Sequence, residues 1–255
     1  MHLRAGSLIT LSLTLLLVAL AGCGDAASGR ERNQLRSYSK SPKRHAAGSQ
    51  KSPDLRGAGA FAVLAGSTVT STGATGLVGD LGVSPGTAVT GFPPGTFSGT
   101  IHAGDATSAV AMTDLTSAYN DAAGRTVGAV TVAGNLGGLT LPPGLYKSTS
   151  SLSISSGDLT LDAQGDANAV FIFQMASTLT TTSGRAVVLS GGAKASNVFW
   201  QVGSSATLGT TSGFKGTILA NQSITLSTGA TLNGRALARI GAVTLAGNAV
   251  VMPTP

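Results

Sequence analysis

From residue 58 onward, short runs of Val, Ile, Leu and Phe alternate with clusters of Gly, Asn, Pro, Ser and Thr. That is the pattern of short strands bounded by turns. It predicts strands at Ala62–Leu64, Leu152–Ile154, Leu159–Leu161, Val170–Gln174, Ala186–Leu189, Val198–Val202, Thr217–Ala220, Ile224–Leu226, Arg235–Ala238, Val243–Leu245 and Ala249–Met252. Pro85, Pro93-Pro94 and Pro142-Pro143 fall between runs, where a missing N–H costs no ladder bond. In Val170–Gln174, Phe171 and Phe173 share one face while Val170, Ile172 and Gln174 share the other. Both faces are largely apolar, so this strand is predicted to be covered on each side.

One segment has a different period. Between Asp105 and Gly124, Ala111, Leu115, Ala118 and Ala122 fall on one helical stripe. Asp105 suits the N-cap and Gly124 the C-terminal stop. The small side chains of the stripe allow close approach to a flat sheet, so the segment is predicted to be one long helix against the strands. Apolar runs at Val170, Val187, Val198 and Ile218 are spaced by 17, 11 and 20 residues. So loose a repeat suits a β-solenoid with interrupted coils. A β-sandwich is the alternative, although few strand pairs here are joined by two-residue hairpin turns.

Charge divides the chain. The formal net charge is +6, but residues 58–255 hold seven Lys/Arg and seven Asp and are neutral. Apart from Arg4, the excess lies in residues 24–57, a polar basic stretch expected to be an unfolded linker. A neutral domain has no electrostatic footprint for phosphates, which argues against a nucleic-acid partner. Residues 1–22 have the polar start and short apolar core of an export signal. They end in Leu20-Ala21-Gly22-Cys23, which resembles the lipobox of bacterial lipoproteins. The organisation expected is therefore a signal (1–22), a linker (23–57) and one domain (58–255). Lipidation of Cys23 would make the protein an outer-membrane lipoprotein, and ordinary cleavage would make it a secreted one. Cys23 is the only cysteine, so no internal disulfide can form.

The domain offers little for catalysis or metal binding. It has no Cys or Glu, one His (His102), and 29 Thr with 21 Ser. Asp158, Asp162 and Asp166 recur every four residues beside Gly or Ala, as turn formers do. Arg235 and Arg239 read as flanking a rung rather than clamping a substrate. No cofactor or metal is expected, and a solenoid enzyme acting on polysaccharide is the weakest alternative.

Several stretches resemble the microbial ice-binding family. They include Gly79–Gly86, Leu141–Tyr146, Val170–Gln174, Asn197–Gly203, Gly216–Ala220 and Gly229–Arg235. The resemblance implies a discontinuous right-handed β-solenoid with a helix alongside, acting as a monomer on the surface of ice. The short join between Phe97 and Asp105 implies that the capping insertion of some members is absent. Some members place a Thr-Ala/Gly-X-Thr/Asn motif on the ice-binding face. The motif occurs here at Thr72–Thr75, Thr87–Thr90 and Thr228–Thr231, with a related Ser205-Ala206-Thr207. The candidate ice-contact residues are thus Thr72, Thr75, Thr87, Thr90, Ser205, Thr207, Thr228 and Thr231. Residues three apart point to opposite faces of a regular strand, so both Thr of a motif share a face only across a turn. A surface adhesin for glycan is the competing function.

Overall fold

The computed structural model describes residues 50–254. The expected signal, Cys23 and the linker up to residue 49 lie outside the described residues. The rest is a stack of three-sided coils. Every strand pairing among the described residues is parallel. That rules out a sandwich built from hairpins, which needs antiparallel neighbours.

One face runs through eight strands in the order Gly134–Asn135, Leu152–Ile154, Leu179–Thr181, Ala206–Leu208, Ile224–Leu226, Val243–Ala246, Thr68–Thr72 and Ala88–Thr90. A second face starts at Ala129–Thr131 and passes through Gly144–Ser148, Phe171–Met175 and Val198–Val202. It continues into the C-terminal halves of Gly213–Ala220 and Thr231–Ala238, then Phe61–Ala65, Asp80–Val83 and Ile101–Ala103. The N-terminal halves of those two long strands turn the corner into the third face, where Thr231–Asn233 pairs with Ala249–Val251. Sequence order and stacking order therefore differ. The chain begins in mid-stack at Phe61, climbs to Ala103, and returns along the helix. It resumes at Ala129 and climbs until Val243–Ala246 docks on Thr68–Thr72 and Ala249–Val251 on Gly76–Val78.

The helix Ala106–Gly124 makes this return. Its 19 residues span about 28 Å, and the eight strand steps it bridges amount to about 38 Å. The few residues on either side cover the difference. The predicted stripe is the buried one, with Ser108 and Tyr119 added to Ala111, Leu115, Ala118 and Ala122. It packs on Phe61, Leu64, Leu219 and Leu237, the outward residues of the second face. Hence Phe171–Met175 is buried throughout, as its two apolar faces predicted. Gln174 finishes the helix, its Nε2 donating to the carbonyls of Ala122, Ala123 and Arg125.

The packed part of the chain begins before residue 58. Residues 50–57 lie against the second face, with Pro53 buried and Leu55 touching both apolar clusters there. Gln50 Nε2 donates to the Val127 carbonyl at 3.1 Å and the Gly57 N–H to Asp114 Oδ2 at 3.0 Å. The helix alone does not cover Leu145, Val170, Ile172 and Phe199, and Leu55 completes their burial. The polar average of the segment concealed the two residues that fold.

Inside the coils the sequence reading missed an aromatic stack. Tyr146, Phe173 and Trp200 are in-register neighbours, with ring centroids 5.1 and 4.1 Å apart and planes within 17° and 10°. Phe214 follows at 4.9 Å. Parallel in-register pairing places like side chains directly over one another, and offset stacking is favourable for flat rings. Burial pushes the Tyr146 phenol up to about 12, and its hydroxyl donates to the Pro142 carbonyl.

Two predictions follow from packing and capping. Phe173→Ala should lower stability by about 3–5 kcal/mol, measured by denaturant unfolding, because it leaves a cavity between two rings. Asp105 accepts the Ser108 N–H at 2.8 Å and lies 2.7 Å from His102 Nδ1. The backbone bond first, then His102, holds its carboxyl below its ordinary 3.8. A depressed folded-state value gives stability that is present above the unfolded value and lost as pH falls through the folded one. Asp105→Asn should therefore lower the melting temperature at neutral pH. The gap to the parent should close as pH drops below about 3.8, and a gap independent of pH would exclude the carboxylate as its source.

Candidate functional site

Of the three faces, the second lies under the helix. The third is chemically mixed, carrying exposed Val78, Val188, Val251 and Phe97 beside Lys215 and Asn233. The first is uniform. Its eight strands contain no charged residue, and their inward side chains, such as Leu179, Leu208, Ile224 and Val243, are core.

Its outward side chains align. Thr180 pairs with Thr207, Thr207 with Thr225, Thr225 with Thr244, Thr244 with Thr70, and Thr70 with Thr90. Six threonines thus form one column, one per coil, over about 24 Å at the usual strand spacing. Ser153 and Asn135 extend the column below Thr180. Small residues flank it, with Thr68 beside Ala88 on one side and Thr72 beside Ala246 on the other.

The hydroxyls of this face divide into two groups. Several of those beside the column are engaged with the protein. Ser151 Oγ lies 2.9 Å from Thr178 Oγ1, Ser205 Oγ accepts the Ser223 N–H at 3.3 Å, and Ser223 Oγ accepts the Ala242 N–H at 3.2 Å. Thr182 and Thr72 donate to the carbonyls of Ile154 and Leu245, each at 3.4 Å. In the lower extension of the column itself, Ser153 donates to the Gly134 carbonyl and Asn135 Oδ1 accepts two backbone N–H groups. By contrast, the six column threonines have no side-chain hydrogen bond to any described residue. Their hydroxyls are left for solvent. Their χ1 angles are stiff, so little entropy is lost when a contact orders them. An in-register row of methyls and unengaged hydroxyls on an uncharged sheet can order water over apolar notches and hold it by hydrogen bonds.

The eight residues singled out from sequence fall into different places. Thr90 and Thr207 stand in the column, Ser205 lies beside it, and Thr72 sits at its edge. Thr87 is exposed just before the strand that carries Thr90, and Thr228 is exposed on the corner between the first and third faces. Thr231 belongs to the third face, where it pairs with Ala249 and Gly213. Thr75 is 1% exposed, accepting from Ser71 Oγ at 2.7 Å, and so has no surface to offer. The Thr-Gly-X-Thr segments at 72–75 and 228–231 turn a corner, and a corner separates its two ends. Thr70, Thr180, Thr225 and Thr244 were missed. Their signal is a Thr preceded, and in half of the coils followed, by an apolar residue, as in Ile224-Thr225-Leu226 and Val243-Thr244-Leu245.

The charged residues weighed above as possible catalytic groups have structural partners. Asp162 and Asp166 each hold a turn, accepting from the Gln164 and Asn168 N–H groups at 2.9 Å, and Asp158 ties two coils together by accepting the Ala186 N–H at 3.0 Å. Arg235 donates to the Gly59 carbonyl, and the Arg239 guanidinium lies 4.6 Å from the Tyr119 ring centroid, so both hold segments that cover the second face. No group of three His, Cys, Asp or Glu suited to a metal occurs among the described residues.

Comparison with known proteins gives a consistent result. A family model described as ice-binding-like matches residues 63–251. An ice-binding protein of Nostoc sp. (strain HG1) is 51% identical over 191 residues, covering 74% of this chain and 70% of its own length. One from Flavobacterium frigoris (strain PS1) is 39% identical, covering 76% and 74%. The crystal structure of an ice-binding protein from an Antarctic biological consortium superposes with a TM-score of 0.80 at 62% identity, over 81% of this chain and 93% of that one. That of the Antarctic ascomycete Antarctomyces psychrotrophicus gives 0.77 at 42% identity, over 80% and 100%.

Proposed function

Because this chain belongs to the ice-binding-like family, we propose that it adsorbs to ice through the Thr column of its first face and so restrains crystal growth and recrystallisation. The carrying observation is the in-register row of six threonines whose hydroxyls are unengaged. Stacked strands repeat every 4.7–4.9 Å, close to a repeat of the ice lattice. The column therefore offers methyl and hydroxyl groups at near-lattice intervals, and the small flanking residues keep its surroundings flat. The activity is adsorption, with no bond made or broken. A face without charge favours water over a charged or glycan ligand, for which neither carboxylates nor exposed aromatic platforms stand beside the column.

Thr225, near the middle of the column, gives the direct test. Thr225→Tyr should remove most of the thermal hysteresis and recrystallisation inhibition without changing the melting temperature much, since the ring lifts the face off the crystal. Thr231→Tyr, on the third face, should leave both near the parent level. Equal hysteresis in Thr225→Tyr and parent would take the column out of the site, and loss in Thr231→Tyr alone would move the site to the third face.

The location of the protein is a separate proposal, resting on the lipobox-like Leu20–Cys23. Lipidation of Cys23 would anchor the domain at a membrane surface, each buried CH₂ contributing about 0.8 kcal/mol. Gln50, where the described chain begins, lies on the helix-covered face, so a tether there would leave the Thr column unobstructed. Cys23→Ser should move the protein from the membrane fraction to soluble material with ice activity unchanged. A wild-type protein found wholly in the medium would leave ordinary secretion as the better account.

A further inference from the structure

The Thr column is not continuous in sequence. It crosses a seam between Thr244 and Thr70, where the last coil docks on the first. The coil below the seam is also one residue short. From Thr225 to Thr231 is six steps, and from Thr70 to Gly76 is six, yet their register partners Thr244 and Ala249 are only five apart. A shorter turn has one peptide group fewer to join the backbone network of its corner.

The side chain of Asn248 occupies that place. It is 3% exposed. Its Oδ1 accepts the Ala246 N–H at 2.6 Å, and its Nδ2 donates to the carbonyls of Ser227 at 2.8 Å and Ala230 at 2.9 Å. A carboxamide carries the same donor and acceptor as a peptide unit. Asn248 also reaches across the seam. Its own N–H donates to Thr75 Oγ1 at 3.2 Å, its carbonyl accepts the Gly76 N–H at 2.8 Å, and Thr75 Oγ1 takes the Ser71 hydroxyl at 2.7 Å. In the coils below, the equivalent corner positions are Ser212 and Ala230, both fully buried and small. The larger polar side chains occur at the seam.

We infer that Asn248 and Thr75 are positioning residues for ice binding: the Asn248 amide replaces the missing peptide of the short coil, and the pair welds the seam in the register that sets Thr244 beside Thr70. The inference rests on the Thr column being the ice-contact surface. A slip at the seam would break the column between its fourth and fifth threonines while leaving each half folded. Buried polar groups of this kind specify one arrangement because leaving any partner unpaired is costly.

The test uses Thr75→Val, which keeps shape and loses the hydroxyl, Thr75→Ser, which keeps the hydroxyl, and Asn248→Leu. Phe173→Leu, remote from the seam, serves as a destabilised reference, and Thr225→Tyr reports on the column itself. Thermal hysteresis is measured well below each melting temperature, with hydrogen exchange of the Gly76 and Gly247 amides as an ice-independent readout. Thr75→Val and Asn248→Leu should lose most of the hysteresis and speed exchange at those two amides. Thr75→Ser should restore both, and Phe173→Leu should keep its hysteresis. Parental hysteresis in folded Thr75→Val and Asn248→Leu, or an equal loss in Phe173→Leu, would overturn the inference. Parental hysteresis in Thr225→Tyr would instead remove the column reading. Should the seam variants fail to fold, the parent decides. Gly76 and Gly247 amides exchanging as slowly as those of Val198–Val202 support a welded seam, and much faster exchange overturns it.

Discussion

Everything in this molecule depends on parallel, in-register stacking of one coil on the next. Backbone hydrogen bonds fix the spacing, and parallel pairing without shift places equivalent residues directly over each other. One rule then produces three results. Inward, it stacks Tyr146, Phe173 and Trp200 into a column of rings. Under the helix, it lines up Leu64, Leu219 and Leu237, on which the helix stripe of Ala111, Leu115 and Tyr119 packs. Outward on the first face, it turns isolated threonines into a row. None of the three needs a special local sequence. Each needs only that a residue type recur at the same station of successive coils.

That is why the elements were legible in the sequence and the site was only partly so. Alternation within Val170–Gln174 is a local signal, and it correctly gave a strand covered on both sides. The helix stripe and its Asp105 cap are local too. Register between coils is not. Thr180 and Thr207 are neighbours across 27 residues and Thr207 and Thr225 across 18, so no fixed period aligns them. The Thr-Gly-X-Thr pattern was visible because it is short, but at 72–75 and 228–231 it spans a corner. Its first residue ends up on or beside the first face, and its last lies inside the coil or on the third face. The triplet that marks the column is no better alone, since Leu159-Thr160-Leu161 has it on the third face. Only the pairing partners distinguish the two.

The discontinuity imposes a second constraint. A solenoid wound in sequence order would need no return path, whereas this one must send the chain from one end of the stack to the other. The helix does so, and in covering the second face it removes that face from any role in binding. Residues 50–57 follow the same surface because apolar side chains such as Leu145 and Ile172 remain to be covered there. The chain's connections thus gather on one side, leaving two faces open. Of these two, the third face carries charge and exposed Val and Phe, and the strands of the first carry no charge.

Hydroxyl content alone does not make the first face distinctive, since Ser and Thr are abundant everywhere in the domain. What separates the column from its surroundings is where the hydroxyls are directed. Beside the column, Ser205 and Ser223 accept backbone N–H groups of the neighbouring coil, so they stiffen the sheet and offer less to solvent. In the column, five of the six Thr lie inside strands paired on both sides, and Thr90 alone ends the outermost strand. A strand interior has no unpaired backbone group for a Thr to cap, so its hydroxyl is left for water. At corners and strand ends Thr72, Thr182 and Thr231 instead reach carbonyls of the neighbouring coil, and those of Ile154 and Ser212 also accept the N–H of the same Thr. Regular stacking therefore supplies the spacing of the row and also keeps its hydroxyls free, and both are lost wherever the strand bends away.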